Sequence, residues 1–124
     1  MKTVVTGGRD YTLTNEDLAF LDELAATLPI THLLTGAASG ADADAEAWAA
    51  RRGLSFTRVP ADWKHYGRGA GPKRNAQLAS LAEAVIAFPG GRGTLDMVTQ
   101  ATRRKLSIFQ SPSRLAACSV HASQ

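Results

Sequence analysis

The segment Phe88-Pro89-Gly90-Gly91-Arg92-Gly93-Thr94 follows directly on the apolar run Ala84-Val85-Ile86-Ala87-Phe88 and leads into a helical pattern over residues 95–105. A β-branched run that breaks into glycines and then opens a helix builds a phosphate cradle. Glycines let backbone N–H groups approach an anion with no Cβ in the way, and the helix start adds unpaired donors and roughly half a positive charge. The chemistry this predicts is capture of a nucleotide phosphate by Gly90, Gly91, Gly93 and Thr94. Three other polar clusters could complete a site: Gly7-Gly8-Arg9-Asp10, the stretch from Gly36 through Ser39 and Gly40 to Asp42, and Pro60-Ala61-Asp62-Trp63.

Each cluster closes a strand-like run. Residues 2–6 are an apolar strand ending in Gly7-Gly8. Thr14-Asn15-Glu16-Asp17 caps a helix whose apolar positions Leu18, Leu21, Leu24, Ala25 and Leu28 keep a helical period until Pro29. Residues 31–35 form the second strand, closed by Gly36, and an alanine-rich helix follows over residues 41–52. Its early acids (Asp42, Asp44, Glu46), late arginines (Arg51, Arg52) and trailing Gly53 agree with the helix dipole. Residues 55–59 are the third strand, Pro72 suits the first turn of a helix reaching about residue 82, and residues 84–88 and 107–110 supply strands four and five. From Ser111 the residues are small and polar with weak periodicity, so a domain over 1–110 is expected to carry a loose or partly helical tail, 111–124.

Strands separated by helices imply an α/β class: one Rossmann-like domain, a parallel sheet of about five strands with helices on both faces. The polar clusters then share the edge formed by the carboxyl ends of the strands. Ligands of open α/β sheets bind at that edge, in the crevice where strand order reverses. With the order 3-2-1-4-5 the crevice lies between the first and fourth strands and sets Arg9 opposite the 90–94 loop.

Composition narrows the classes. A chain of 124 residues, 44% apolar and 20% charged, makes one ordinary globular domain. No apolar run approaches the ~20 residues of a membrane span, and the chain enters a strand at once, so a cytoplasmic location without membrane partners is expected. The single cysteine, Cys118, excludes an intramolecular disulfide, and neither it nor His32, His65 and His121 show the spacing of a metal site or triad. No metal and no cofactor are expected. A net charge of +3 favours anionic ligands, but without a basic stripe interleaved with aromatics it disfavours nucleic acid as the partner.

Five segments then occur in order: Gly7-Gly8-Arg9-Asp10-Tyr11, Thr35-Gly36-Ala37-Ala38-Ser39-Gly40-Ala41-Asp42, Pro60-Ala61-Asp62-Trp63, the stretch from Tyr66-Gly67-Arg68 to Arg74-Asn75, and Ala87-Phe88-Pro89-Gly90-Gly91-Arg92-Gly93-Thr94-Leu95-Asp96. Together they resemble the SLOG superfamily, in its small YspA/YpsA-related branch, over roughly residues 2–110. The resemblance implies a Rossmann-like fold that binds nucleotides or nucleotide-derived ligands. It also implies kinship with the LOG phosphoribohydrolases, which cleave the N-glycosidic bond of a nucleoside monophosphate and suggest a homodimer. Other branches resemble ligand sensors or the single-strand DNA binders of the DNA-processing protein A group.

Under this resemblance Gly90, Gly91, Gly93 and Thr94 match the phosphate part of a Pro-Gly-Gly-x-Gly-Thr motif, and Arg74 matches the arginine on the preceding helix. Asp96 fills the acidic position where LOG enzymes carry glutamate. Arg74 and Asp96 are therefore the candidate catalytic pair, for phosphate or ribose binding and for stabilising an oxocarbenium-like state, respectively. Asp96 is one methylene shorter than glutamate, and a misplacement of about 1 Å can cost on the order of a hundredfold in rate. The candidate ligand contacts are Gly7, Gly8, Arg9, Asp10, Gly36, Ser39, Gly40, Asp42 and Asn75. Plainer roles compete. Asp96 also complements a helix dipole, Asp44 and Glu46 read as a solvated helix start, and Trp63 and Tyr66 could stack on a base or cover the core edge. Trp48 reads as packing. The function classes left open are a nucleotide-derivative sensor or sequestering module, a nucleoside-monophosphate N-glycosidase and, last, a single-strand DNA binder.

Overall fold

Neighbouring apolar pairs in the strands make a sheet with two buried faces. Successive side chains of a strand point to opposite sides. In β1 (Lys2–Thr6), β2 (His32–Thr35) and β4 (Ala84–Ala87), Val5, Leu33 and Ile86 enter one core, together with Leu21, Ala45 and Trp48. Val4, Leu34 and Val85 enter the other, with Leu78, Met97 and Ala101. Such a sheet needs helices on both faces. The first core is roofed by α1 (Asn15–Thr27) and α2 (Ala41–Arg51), the second by α4 (Ala70–Leu81) and α5 (Arg92–Arg103). The computed structural model describes residues 1–122, with side chains as far as residue 117, so the readings of the Cys118 and His121 side chains lie outside what it describes.

All pairings are parallel and the order is β3-β2-β1-β4-β5, with β3 (Ser55–Arg58) and β5 (Ser107–Gln110) at the edges. Val4 sits in register with Leu34 on one side and Val85 on the other. The chain winds outward from β1 to β3, returns to place β4 beside β1, and so creates its switch point between those two strands. The α/β Rossmann-like class expected from the sequence is the one observed, and the strand order is the one under which Arg9 faces the 90–94 loop.

Local details follow from caps and small residues. Thr14 Oγ1 accepts the Asp17 amide at 3.1 Å while Asp17 Oδ2 accepts the Thr14 amide at 3.0 Å, the reciprocal cap its sequence predicts. α4 begins at Ala70, ahead of Pro72, because Ala70 and Gly71 are small enough to be buried there. Pro72 still falls in the first turn, where its missing N–H costs nothing. α5 begins at Arg92, earlier than the expected residue 95, so Gly93 and Thr94 belong to its first turn. A short α3 (Trp63–Tyr66), capped by Asp62, and a 3-10 turn (Gly67–Gly69) fill the connection after β3 and were not foreseen.

The expectation that Glu46 is solvated is corrected. Alanines 41, 45 and 49 let α2 lie close on the sheet. That approach buries Glu46 between the Thr35 hydroxyl and Arg58, whose Nη2 is 2.9 Å from Oε1. Asp42 is buried beside it, and Asp44 accepts the Leu13 amide at 3.0 Å. After β5 the chain forms α6 (Pro112–Ala122), which packs beside α1 and is tied down at its start by a bond from Ser113 Oγ to Asp17 Oδ1 at 2.9 Å. No described helix is long and apolar enough to cross a membrane.

Candidate functional site

Two glycine turns meet at the switch point. The Gly8 amide donates to the Pro89 carbonyl at 2.8 Å, stitching the loop after β1 to the loop after β4. Gly90 packs into this seam so closely that a Cβ would lie 2.8 Å from the Gly8 nitrogen. Gly91 and Gly93 are different: a Cβ on either would meet nothing within 4 Å. α5 starts beside them without a side-chain cap, and its first backbone bond runs from the Leu95 amide to the Gly91 carbonyl at 3.0 Å. The N–H groups of Arg92, Gly93 and Thr94 therefore have no acceptor inside the helix.

A cleft of about 820 Å³ lies over this turn. Gly7, Gly8, Arg9 and Asp10 line it from the first loop, and Gly90, Gly91, Gly93 and Thr94 from the fourth. α2 contributes Asp42, α4 contributes Arg74 and Asn75, and α5 contributes Asp96. A smaller hollow of about 320 Å³ adjoins it, shares Arg9, Trp63 and Arg74, and holds Gly36 and Ser39. Gly40 lines neither. It works through the backbone, at φ +72°, where a Cβ would strike the carbonyl oxygens of Gly8 and Arg9. The neighbouring Ala41 amide donates to that Gly8 oxygen at 3.2 Å, and Ser39 Oγ donates to the Arg9 oxygen at 3.1 Å.

The polar side chains are linked. Arg74 Nη1 donates to the Gly36 carbonyl at 2.8 Å and its Nε to Asn75 Oδ1 at 2.9 Å. Asn75 Nδ2 donates in turn to the Gly93 carbonyl at 3.1 Å and to Asp96 Oδ2 at 2.9 Å, and Gln100 Nε2 donates to the same Oδ2 at 2.9 Å. Asn75 is thus the brace between the arginine and the glycine turn. Burial pulls the Arg74 pKa down; Asp42 opposes this, Arg9 adds to it and Asp96 opposes it. Burial likewise pushes the Asp42 pKa up to about 6, against the amides of Ala38 and Gly36 and the charge of Arg74, with Glu46 adding to the rise.

Some cleft residues were missed by sequence reasoning. Arg68 and Arg92 both line the cleft. Arg92 occupied a variable position of the motif, and Arg68 is delivered by the 3-10 turn that the sequence did not announce. Trp63 and Tyr66 also separate: Trp63 lines both hollows, whereas Tyr66 lines neither and packs against His65 and Lys73. Among the described residues no three His, Cys, Asp or Glu side chains cluster as a metal site would require.

A parallel, doubly covered sheet with glycine turns meeting at its switch point places the molecule in the class of Rossmann-like α/β domains. Within that class the chain belongs to the YAcAr family, the YspA, cpYpsA-related SLOG family, whose model matches residues 1–66. That match takes in the loops of Arg9 and Asp42 and stops short of Arg74 and the 89–94 turn. Among solved structures the chain is similar to DNA processing protein A (DprA) from Streptococcus pneumoniae, with a TM-score of 0.65 and 21% identity over 88% of this chain and 49% of that one. The likeness is one of fold, and the chain spans about half the length of that protein. No curated protein matches the chain.

Proposed function

We propose that the chain binds a nucleotide or nucleotide-derived phosphate ligand in the cleft between the ends of β1 and β4. One observation carries this reading: the uncapped start of α5 offers the amides of Arg92, Gly93 and Thr94 beside open space at Gly91 and Gly93, in a cleft that Arg9 and Arg74 also line. Unpaired amides, a positive helix end and guanidinium forks all favour a phosphate. Membership of a SLOG family supports a nucleotide-related ligand.

The finer reading is hydrolysis of the N-glycosidic bond of a nucleoside 5′-monophosphate. Asp96 is held through Oδ2 by Asn75 and Gln100, which leaves Oδ1 to orient a water and offset charge at the anomeric carbon as the bond to the base breaks. Arg74 would hold the phosphate or ribose, and Asp42 or Asp10 would accept from ribose hydroxyls. The alternative is a sensor or sequestering module using the same pocket without turnover. The similarity to DNA processing protein A makes a single DNA strand the third occupant to test.

The deciding experiment incubates the protein with nucleoside monophosphates, dinucleotides and ADP-ribose derivatives, following melting shifts for binding and chromatography for freed base. A melting shift that Arg74→Ala abolishes supports the binding reading. Free base from the wild type but not from Asp96→Asn assigns hydrolysis, and a stabilised, unaltered ligand assigns the sensor. Absence of any shift across the panel overturns the proposal. Light scattering on the same samples tests the homodimer that the LOG resemblance implies.

A further inference from the structure

The ridge between the two hollows is made by Arg9, Trp63 and Arg74, which line both. Trp63 is 48% exposed although it is a large aromatic on a short helix. Its ring lies against Gly71, where a Cβ would come within 3.3 Å of Cη2. The guanidinium of Arg9 lies over the ring, 5.5 Å from its centroid, yet about half of the residue stays exposed, so aromatic surface remains for a second flat group. The smaller hollow beyond is walled by Ala37, Ala38, Pro60 and Ala61, with Ser39 as its hydroxyl and no carboxylate in its lining. These four side chains are small and apolar, while Arg9, Arg74 and Ser39 make much of the rest of the lining polar. They suit a planar ring with a few polar edges, and Arg74 spends donors on the Gly36 carbonyl and Asn75 at this border.

We infer that the smaller hollow is the base subsite of the ligand, with the nucleobase stacked on Trp63 while its phosphate sits at the start of α5. The inference rests on the phosphate reading above and adds the part of the ligand that reading leaves unplaced. Every base has a π-face, so a tryptophan platform adds affinity for the ring itself, and the arginine beside it contributes through its own planar stack. Trp63 is then a binding residue whose effect falls mainly on ligands that carry a base.

Two probes separate the parts: ribose 5-phosphate, which has the phosphate and sugar alone, and the best-binding of the four common nucleoside monophosphates. The wild type is expected to bind the nucleotide more tightly than ribose 5-phosphate. Trp63→Ala should weaken the nucleotide by about five- to 150-fold, the range for loss of one aromatic stack, and weaken ribose 5-phosphate far less, by no more than the loss of the Arg9 contact. Trp63→Phe should restore most of the loss. Nucleotide binding should also quench the fluorescence of a Trp48→Phe protein, in which Trp63 is the sole tryptophan; Trp48 is buried on α2 and bonded to Asp22, apart from the cleft. Equal weakening of both probes, or none, overturns the base subsite while ribose 5-phosphate binding keeps the phosphate reading. Failure of both probes to bind the wild type overturns the phosphate reading and the subsite with it.

Discussion

Asp42 is a carboxylate that the fold buries to 5% exposure, and its pKa of about 6 stands well above the ordinary 3.8. Between those values the folded chain binds more protons at this site than the unfolded chain, so stability falls as pH rises from about 4 to about 6. The gap corresponds to about 3 kcal/mol. Asp42→Asn keeps an oxygen for the Gly36 and Ala38 amides and removes the charge. In urea unfolding at about pH 4.5 and about pH 7, the wild type should lose about 2 kcal/mol more than this variant over the interval; parallel losses would show that Asp42 is not the group responsible. Two glycines give a second test at the same scale. Gly40 and Gly53 share φ +72°, but a Cβ at Gly40 strikes two carbonyl oxygens of the loop after β1 while one at Gly53 meets nothing within 4 Å. Gly53→Ala should cost about 1 kcal/mol for the left-handed backbone alone. Gly40→Ala should cost about 3 kcal/mol, because the clash is added to that strain, and thermal melts of the two variants provide the comparison.

The elements are joined by polar ties that a sequence pattern does not display, and the end of α6 nearest the sheet is held by one. Asp17 is fully buried and accepts from the Tyr11 hydroxyl, the Thr14 amide and Ser113. Burial alone would raise its pKa, but these donors hold it below the usual carboxylate range. Removing Ser113 should cost about 1 kcal/mol, and Asp17→Ala about 3 kcal/mol because it strands three donors. In a double-mutant cycle, Ser113→Ala should cost nothing further once Asp17 is gone; additive losses would mean that α6 is held by other contacts. The sequence made α1 legible because Thr14 and Asp17 have cap spacing, and made the strands legible because Val4-Val5, Leu33-Leu34 and Val85-Ile86 are apolar on both faces. It concealed α3 because four residues hold no period, and concealed the burial of Glu46 because its partner Arg58 comes from a different element. The glycine turns and Arg9 could be placed together at one edge of the sheet because they stand at strand ends. The Asn75 brace was not, since its role exists only once α4 lies against α5.

At the scale of the whole molecule, charge decides between a small metabolite and a polymer. The chain carries 14 Lys and Arg against 11 Asp and Glu, so no strong overall field draws a polyanion. The cleft itself mixes its signs: Arg9, Arg68, Arg74 and Arg92 share its lining with Asp10, Asp42 and Asp96. A lone phosphate can sit at the helix start with arginines around it and avoid the carboxylates. A single strand crossing the cleft would have to run its phosphates past all three acids, and a strand binder needs a continuous positive groove. Each backbone phosphate neutralised contributes about −0.7 to the slope of log affinity against log salt for single strands. An oligothymidylate should therefore bind weakly and be lost by about 0.2 M salt, where exposed charges are screened beyond roughly 8 Å. On the proposed reading, the melting shift from a nucleoside monophosphate should persist at that salt, because its phosphate would be held at contact distance by amides and arginines together. Tight oligothymidylate binding with a steep salt slope, unaffected by Arg74→Ala, would instead place a nucleic-acid surface outside the cleft and make the metabolite reading wrong for this chain.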